Sequence, residues 1–119
     1  MNDWRKNTAM HRYHIKITEY AEQDLEDIGN YVAFTLKNPA SATGLIHDLK
    51  NKMNSLRQMP QKHALDEDNI LATLGVRKCH HKNYKIYYII SPPLDSVIIL
   101  RILHMHVDSK SKIYRTFGI

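Results

Sequence analysis

The pattern of hydrophobic and polar residues predicts a short strand followed by an amphipathic helix near the start of the chain. The strand is the alternating stretch YHIKIT, in which Ile15 and Ile17 share a face. Thr18 can cap the helix, and KNP ends it because the residue before a proline avoids helical geometry. One apolar stripe runs along this helix at spacings of three and four: Ala21, Leu25, Ile28, Val32 and Leu36.

A second amphipathic helix is predicted to open at Pro39 and to end near QMP, since proline is favoured in the first turn of a helix. Two helices joined by so few residues form an antiparallel hairpin. Their apolar stripes must pack on something flat, because neither helix would be stable alone. The stripe of the second helix comprises Leu45, Ile46, Leu49, Met53 and Leu56.

Three strands supply the flat element after a polar connection, QKHALDEDNILATLG. They are VRKCHH, NYKIYYII and SVIILRILHMH, and SPPLD turns the chain between the last two. The order β-α-α-β-β-β predicts an α+β fold in which a helical hairpin packs on a small, largely antiparallel twisted sheet. By simple alternation, one face of the last strand carries Ile98, Leu100, Ile102, His104 and His106, and the other carries Val97, Ile99, Arg101, Leu103 and Met105.

The composition indicates one globular domain with an excess of positive charge. The chain has 119 residues, and its formal net charge of +5 favours a polyanionic partner, either nucleic acid or an acidic protein. The single Cys79 excludes an internal disulfide and suits a reducing compartment. No apolar run approaches the roughly 20 residues of a membrane span. We expect a cytoplasmic protein with no membrane partner, in which residues 12–119 form one domain behind a disordered extension, residues 1–11.

The stretch RILHMHVD ends the last strand in two histidines one position apart. Side chains two apart on a strand share a face, so His104 and His106 could reach one ligand. A zinc site would need a further ligand, for which Cys79, His80 or His81 is a candidate. The alternatives are an acid or phosphate-binding role for His106, or a solvent-exposed strand end without chemistry. We expect no metal and no other cofactor.

A basic cluster lies on the first of the three strands, on the turn after it and at the start of the next strand. Its cations could hold an RNA backbone while interleaved tyrosines stack on bases, and the alternative is a solvated face of a basic protein. Arg77 and Lys78 point to opposite faces unless a bulge intervenes. The cluster comprises Arg77, Lys78, His80, His81, Lys82 and Lys85, interleaved with Tyr84 and Tyr87.

The ordered set IKIT, AEQDLEDIGNYV, LRQMP, LGVRKCHHKNYKIYYII and VIILRILHMHVD resembles the RelE/ParE toxins of bacterial type II toxin–antitoxin systems. Its clearest pieces are G-x-R-K at residues 75–78, N-Y-x-I-x-Y at residues 83–88 and R-I-L-H at residues 101–104. The resemblance implies a small basic toxin that an acidic antitoxin neutralises. It also implies one of two activities. RelE-like members cut mRNA on the ribosome without a metal, whereas ParE-like members poison DNA gyrase without nuclease chemistry.

The end of the last strand departs from the ParE-like pattern. Many ParE-like sequences end LHGRRD, whereas this chain ends LHMHVD, so that His106 and Val107 replace two arginines. Where RelE-like members often carry Tyr-Arg, this chain carries Tyr84 and Lys85, and lysine keeps the charge but loses the bidentate grip on phosphate. Overall, the sequence is closer to the ParE-like and plasmid-stabilisation group.

Cutting RNA through its own 2′-hydroxyl needs a base, a cation and an acid. The replacement and the basic cluster lead us to predict a metal-independent, ribosome-dependent mRNA endonuclease, with His106 as the acid and Lys85 and Arg77 at the phosphate. A gyrase poison is the alternative. A late tyrosine stacks on the base in some nuclease members, so a returning C-terminal tail could bring Tyr114 to the site; the alternative is a frayed chain end. The predicted nucleic-acid-binding residues are Lys78, His80, His81, Lys82, Tyr84, Tyr87, Arg101 and Tyr114.

Overall fold

The computed structural model describes residues 11–119, which contain four strands and four helices. Within this part of the chain, no helix is long and apolar enough to cross a membrane. The strands are β1 (His14–Ile17), β2 (Arg77–His81), β3 (Tyr84–Ser91) and β4 (Ser96–His104). The helices are α1 (Glu19–Asn30), α2 (Pro39–Ser55), α3 (Asn69–Thr73) and α4 (Ser109–Phe117).

Residues 1–10 of the predicted extension lie outside the described residues. His11, which the prediction placed at the end of the extension, contacts the folded domain: its Nε2 lies 2.7 Å from Asp95 Oδ1.

The strands form one sheet in the order β1-β4-β3-β2. β1 runs parallel to its neighbour β4, and the other two pairs are antiparallel. The helical hairpin crosses the sheet from β1 at one edge to β2 at the other. This arrangement confirms the predicted α+β fold. Among residues 11–119, β1 and β2 are the two edge strands.

The helical hairpin covers one face of the sheet. The hydroxyl of Thr18 accepts a hydrogen bond from the backbone N–H of Ala21 and donates one to the carbonyl of Leu100, so the helix cap is also tied to β4. Apart from Leu36, the predicted apolar stripes are buried or partly buried, and all of these residues except Val32 pack in this core. Its buried residues are Ala21, Leu25, Leu49, Met53, Leu56, Cys79, Ile86, Tyr88, Val97, Ile99 and Ile102.

Leu36 is the exception, and the prediction that it continues the stripe of α1 is wrong. A π-helical turn follows α1 at Tyr31–Thr35, and the Leu36 N–H donates to the carbonyl of Tyr31, five residues earlier. The wider turn shifts the residues after it out of the 3.6-residue periodicity. Leu36 is therefore 55% exposed and Phe34 is 73% exposed, although Val32 is buried.

The other face of the sheet is covered by α4, a helix that the sequence analysis did not predict, and by the short α3. The carboxylate of Asp108 accepts a hydrogen bond from the Ser111 N–H at the start of α4, and Gly118 ends the helix with a φ of +76°. The alternative of a frayed C-terminal end is therefore wrong. The buried residues of this second core are Leu71, Val76, Tyr87, Leu100, Leu103 and Ile113.

A bulge in β4 changes which side chains share a face. Tyr87 pairs with Arg101, but the next residue, Tyr88, pairs with Ile99, which leaves Leu100 as an extra residue in β4. Simple alternation therefore fails along this strand.

Beyond the bulge, the two faces of β4 are exchanged relative to the prediction. Ile102 packs in the core under the helical hairpin, whereas Leu100 and Leu103 both belong to the core under α4. The prediction that Ile102 shares a face with Leu100 is wrong. His104 consequently lies opposite Tyr84 in the register, on the hairpin side of the sheet.

Candidate functional site

The two histidines after the bulge lie together at one wall of an open cleft. β4 ends at His104, and a turn returns the chain so that the His106 ring lies 5.2 Å from the His104 ring, centroid to centroid. The ring of Tyr84 packs against that of His104 in a T-shaped arrangement, with ring centroids 5.3 Å apart. The His106 N–H donates to Nδ1 of His104 over 3.2 Å, so in the neutral ring the proton is on Nε2. Strand alternation predicted that the two histidine side chains lie beside each other, but the turn after β4 is what brings them together.

The cleft has a volume of about 490 Å³ and lies between α1, the end of β4 and α4. Asp27 lines it from α1, Tyr31 lines it from the π-helical turn after α1, and Lys112 lines it from α4. Aromatic walls with a few polar groups suit the binding of a planar or apolar group that has a polar edge.

Arg101 is held in an ion pair below this cleft. Its Nε and Nη2 each donate to a different carboxylate oxygen of Asp24 over 2.8 Å. The side chains are only 12% and 9% exposed, and Asp24 raises the pKa of Arg101. The same carboxylate accepts the backbone N–H of Ile102 over 2.9 Å. The guanidinium predicted to contact nucleic acid is thus used to join α1 to the bulged strand.

Asp24 is the structural residue that the sequence analysis missed. It belongs to DLEDIGNY, a stretch whose carboxylates would ordinarily be expected on the solvated face of a helix, but Asp24 is buried. A signal was present in the sequence. Asp24 lies three residues after Ala21 and four before Ile28, which places it inside the apolar stripe. A carboxylate buried at such a position requires a cationic partner.

The basic cluster is divided between the two faces of the sheet. Because Cys79 belongs to the hairpin core, alternation along β2 puts Arg77 and His81 on the hairpin side and Lys78 and His80 on the α4 side. The predicted opposition of Arg77 and Lys78 is therefore present.

Three members of this cluster already contact groups of the chain itself. Nη1 of Arg77 donates to the carbonyl of His63 over 2.6 Å and to that of Gln61 over 3.2 Å. Nζ of Lys78 lies 3.8 Å from Asp66 Oδ2. His81 Nε2 lies 4.0 Å from Asp48 Oδ2.

Lys85, Tyr87 and Lys82 lie away from the histidine cleft. Lys85 opposes Leu103 on the α4 side, and its Nζ lies 5.8 Å from the ring centroid of Tyr87. Tyr87 is 2% exposed, so it could stack on a base only after local opening. Lys82 is exposed in the tight turn between β2 and β3, where its φ is +52°.

Tyr114 anchors α4 to the start of α3. Its hydroxyl donates to Asp68 Oδ2 over 2.7 Å, and Nζ of Lys110 lies 3.0 Å from Asp68 Oδ1. The Tyr114 hydroxyl, and after it the Lys110 ammonium, lower the pKa of Asp68 from 3.8 to about 2. Tyr114, which was predicted to stack on RNA, is thus hydrogen-bonded to a carboxylate of its own chain.

We expect the loss of stability in acid to depend on Asp68. A lowered folded-state pKa means that its charge stabilises the fold above a pH of about 4, and that this contribution is lost as the pH falls towards about 2. Asp68→Asn should lower the melting temperature at neutral pH and make its decline between pH 4 and pH 2 shallower than in the wild type. Thermal unfolding at a series of pH values tests this, with the exposed Glu67→Gln as control. An equally steep decline in Asp68→Asn would contradict the assignment.

The structure does not bring the three predicted catalytic residues together. Arg77 pairs with Tyr88, four residues along β3 from Tyr84, which corresponds to about 13 Å along the strand. His106 lies at the Tyr84 end, one strand further across the sheet. Lys85 projects from the opposite face.

The described residues around His104 and His106 do not support a metal site. Among residues 11–119, no group of three or more His, Cys, Asp or Glu side chains is placed to hold a metal ion. Cys79, the candidate third ligand, is buried, and burial raises the pKa of its thiol to about 11. The thiolate that binds zinc is therefore disfavoured.

Comparisons with known proteins give a consistent result. The family model described as the ParE toxin of the type II toxin–antitoxin system parDE matches residues 15–108. No curated protein matches the sequence.

Solved toxin structures share the fold. The chromosomal ParDE toxin–antitoxin system of P. aeruginosa matches with a TM-score of 0.67 and 22% identity over 81% of this chain and 99% of that chain. The RelBE2 toxin–antitoxin complex of Mycobacterium tuberculosis matches with a TM-score of 0.53 and 21% identity, over 80% of this chain and 93% of that chain. A mutant of the E. coli toxin RelE in the free state matches with a TM-score of 0.59 and 15% identity, over 88% of this chain and 93% of that chain. At these identities, the likeness concerns the fold alone.

Proposed function

Since the chain belongs to the ParE toxin family, within the RelE/ParE superfamily of type II toxin–antitoxin systems, we propose that it arrests growth by binding DNA gyrase and not by cutting RNA. The gyrase target is carried over from the ParE-like members that the sequence resembles. The observation that carries the proposal is the separation of His106, Lys85 and Arg77. The sequence alone favours the endonuclease, with gyrase as the alternative.

RNA cleavage requires its acid, base and cation within hydrogen-bond reach of one phosphodiester, about 3 Å from the atoms they serve. Arg77 lies too far along the sheet from His106 to share a phosphate with it, and Lys85 lies on the other face. Convergence would require the sheet to be rebuilt. Binding to gyrase needs no proton transfer, so it places no such demand on these residues.

The two arginines among the predicted site residues are also engaged. Arg101 forms two hydrogen bonds with Asp24, and Arg77 donates to two backbone carbonyls. A cation that stabilises a pentacoordinate phosphorane must be free to move its donors to the phosphate oxygens. Withdrawing Arg101 would leave the buried carboxylate of Asp24 without its cation, and withdrawing Arg77 would break two hydrogen bonds; both changes cost stability.

An exposed apolar surface next to the cleft suits a protein target. Phe34 and Leu36 are exposed on the connection between α1 and α2, and Tyr31, half of whose surface is exposed, also lines the cleft. Aromatic side chains of this kind are frequent anchors at protein–protein interfaces. The π-helical turn described above is what presents them to solvent.

We expect the purified protein to inhibit the supercoiling of relaxed plasmid DNA by gyrase. Phe34→Ser should weaken inhibition by about tenfold, the effect of removing one interface anchor. Because Phe34 is exposed, its replacement should leave folding intact. Leu94→Ser, an equally apolar exposed position in the turn before β4, is the matched control and should inhibit like the wild type. His106→Ala should also inhibit fully.

The endonuclease remains a second candidate, favoured by the adjacent rings of His104 and His106 with Tyr84 and Lys112 in the same cleft. Two imidazoles could share the acid and base roles. Mapping of mRNA 5′ ends after induction tests this, and His106→Ala should then lower cleavage by roughly 10²–10⁴-fold. Such cleavage, together with unimpaired gyrase, would refute the gyrase proposal.

A further inference from the structure

Three irregular backbone features occur around the connection between α1 and α2. The first is the π-helical turn Tyr31–Thr35, a rare conformation that is often found at functional sites. The other two are lysines with left-handed backbone: Lys37 has a φ of +54° just after that turn, and Lys82 has a φ of +52° in the turn between β2 and β3. Because a Cβ makes this conformation unfavourable, glycine would fit both positions with less strain.

The turn between β2 and β3 lies beside the connection that follows α1. A groove of about 420 Å³ is lined by Val32 of the π-helical turn and by Lys82. Tyr31 and Tyr84 both line the neighbouring cleft. Burial, and after it the Tyr31 phenol, raises the pKa of Tyr84. The π-helical turn and the two lysines therefore belong to one surface of the molecule.

This surface has an apolar centre, the exposed side chains of Tyr31, Phe34 and Leu36, which we call the apolar patch. Phe34 is 73% exposed, more than any other large hydrophobic residue of the described chain. Exposed apolar surface with a polar border is typical of protein interaction sites. The patch therefore suits a protein partner that presents apolar side chains of its own.

The border of the apolar patch carries two unpaired positive charges. Lys37 and Lys82 are exposed, and neither forms an ion pair within residues 11–119. The segments that contain them, residues 31–47 and 69–94, have no Asp or Glu. Backbone strain persists where a residue is needed for function. A lysine at each of two positions that suit glycine therefore indicates a role for the ammonium groups.

Two carboxylates lie near this border, but each has another neighbour. Asp48 lines the groove beside Lys82, and its Oδ2 lies 4.0 Å from Nε2 of His81. Asp27 shares the cleft with Lys112 and accepts a hydrogen bond from the side chain of Gln23 over 2.9 Å. The charges of the two bordering lysines are thus left for a partner.

We propose that this surface docks on a region of gyrase in which apolar side chains are flanked by carboxylates, with Lys37 and Lys82 facing those carboxylates. The inference rests on the proposed function and adds the chemistry of the gyrase surface to it. A second copy of this chain is disfavoured, because a symmetric contact would bring the same lysines together. A nucleic acid would match the lysines but would leave the apolar patch without an apolar partner.

Surface plasmon resonance with purified bacterial DNA gyrase, in the absence of DNA, tests the two lysines. Lys37→Glu and Lys82→Glu should each lower the association rate constant about three- to tenfold at low salt, and the difference should shrink as salt is added. The dissociation rate constant should change less than about twofold, because charges at the border of an interface act mainly on association.

The matched control is Lys16→Glu, the same charge reversal at an exposed position of β1. β1 and β2 are at opposite edges of the sheet, so this variant should associate with gyrase like the wild type.

Glycine variants separate the charge from the fold. Lys37→Gly and Lys82→Gly remove the ammonium group and relieve the left-handed strain, so they should raise the melting temperature by about 2–5 °C. They should nevertheless associate with gyrase about twofold or more slowly than the wild type. Lysines with a purely structural role would instead lose stability and binding together.

Three results would overturn this inference. One is equal association rates for Lys37→Glu, Lys82→Glu and Lys16→Glu. Another is a lower melting temperature in both glycine variants, which would show that the lysines stabilise their turns. The third is a loss of binding that appears only when DNA is added, since the lysines would then contact the DNA that gyrase holds.

These outcomes differ from a failure of the proposed function. If the wild type neither binds nor inhibits gyrase, the proposed function is refuted, and this inference with it. If the wild type binds and inhibits gyrase and the lysine variants associate equally fast, this inference alone is refuted.

Discussion

Replacing Asp24 by asparagine should destabilise the protein by about 3–5 kcal/mol, the usual cost of removing one partner of a buried ion pair. The asparagine has the same shape but no charge, so the guanidinium of Arg101 stays buried without a counter-ion. A single domain has only about 5–15 kcal/mol of stability in total. A large part of it would therefore be lost, and urea denaturation should show a much lower midpoint.

Two further variants identify the cause. Glu26→Gln removes a charge from the exposed face of the same helix and should change stability by less than about 0.5 kcal/mol. The double replacement of Asp24 by Leu and Arg101 by Met removes both charges, so it should recover about half of the loss. A deficit of about 1–3 kcal/mol should remain, because the Ile102 N–H would lose its acceptor. A midpoint for Asp24→Asn equal to that of the wild type would contradict this role.

The second large effect is expected at Ile113 on α4, where Ile113→Ala should cost about 2–5 kcal/mol. Ile113 is fully buried between α4 and the sheet, against Leu100 and Leu103. Truncating it removes apolar contacts and leaves a cavity that the rigid sheet cannot fill. Equilibrium urea unfolding at neutral pH measures the effect.

The matched controls for Ile113 use the same residue and the same helix. Ile113→Val removes one methylene and should cost about 0.5–1.5 kcal/mol. Arg115→Ala lies on the exposed side of α4 and should stay within about 0.5 kcal/mol. If Ile113→Ala were as stable as Arg115→Ala, α4 would not be docked on the sheet in solution. The C-terminal segment would then be the frayed end that the sequence alone left open.

The candidate site was predicted only in part, because only some of its distances are set by residues close together in the chain. The sequence correctly placed His104 and His106 beside each other, because two residues so close along the chain stay close in most local geometries. It did not separate His106 from Lys85 and Arg77, because their distances depend on the register of three strands. Likewise, the roles of Arg101 and Tyr114 depend on carboxylates 77 and 46 residues away.

The sequence by itself determined the elements whose pattern is local. The apolar stripes from Ala21 to Val32 and from Leu45 to Leu56, and the alternation in β2 and β3, are properties of neighbouring residues, so periodicity predicts them. The order of these elements and the cross-over connection then fix the α+β fold.

Only the tertiary structure decided the bulge at Leu100, the exposure of Leu36 and the docking of α4. The bulge and the docking of α4 depend on contacts between segments far apart in the chain, whereas the exposure of Leu36 follows from the π-helical turn at Tyr31–Thr35. The bulge is stabilised by Asp24, which accepts hydrogen bonds from both Arg101 and Ile102. α4 is short and amphipathic, and a helix of that length is not stable until a partner covers its apolar side. The free energy that selects these features comes from burial and ion pairing across the folded domain, which is why no local pattern predicted them.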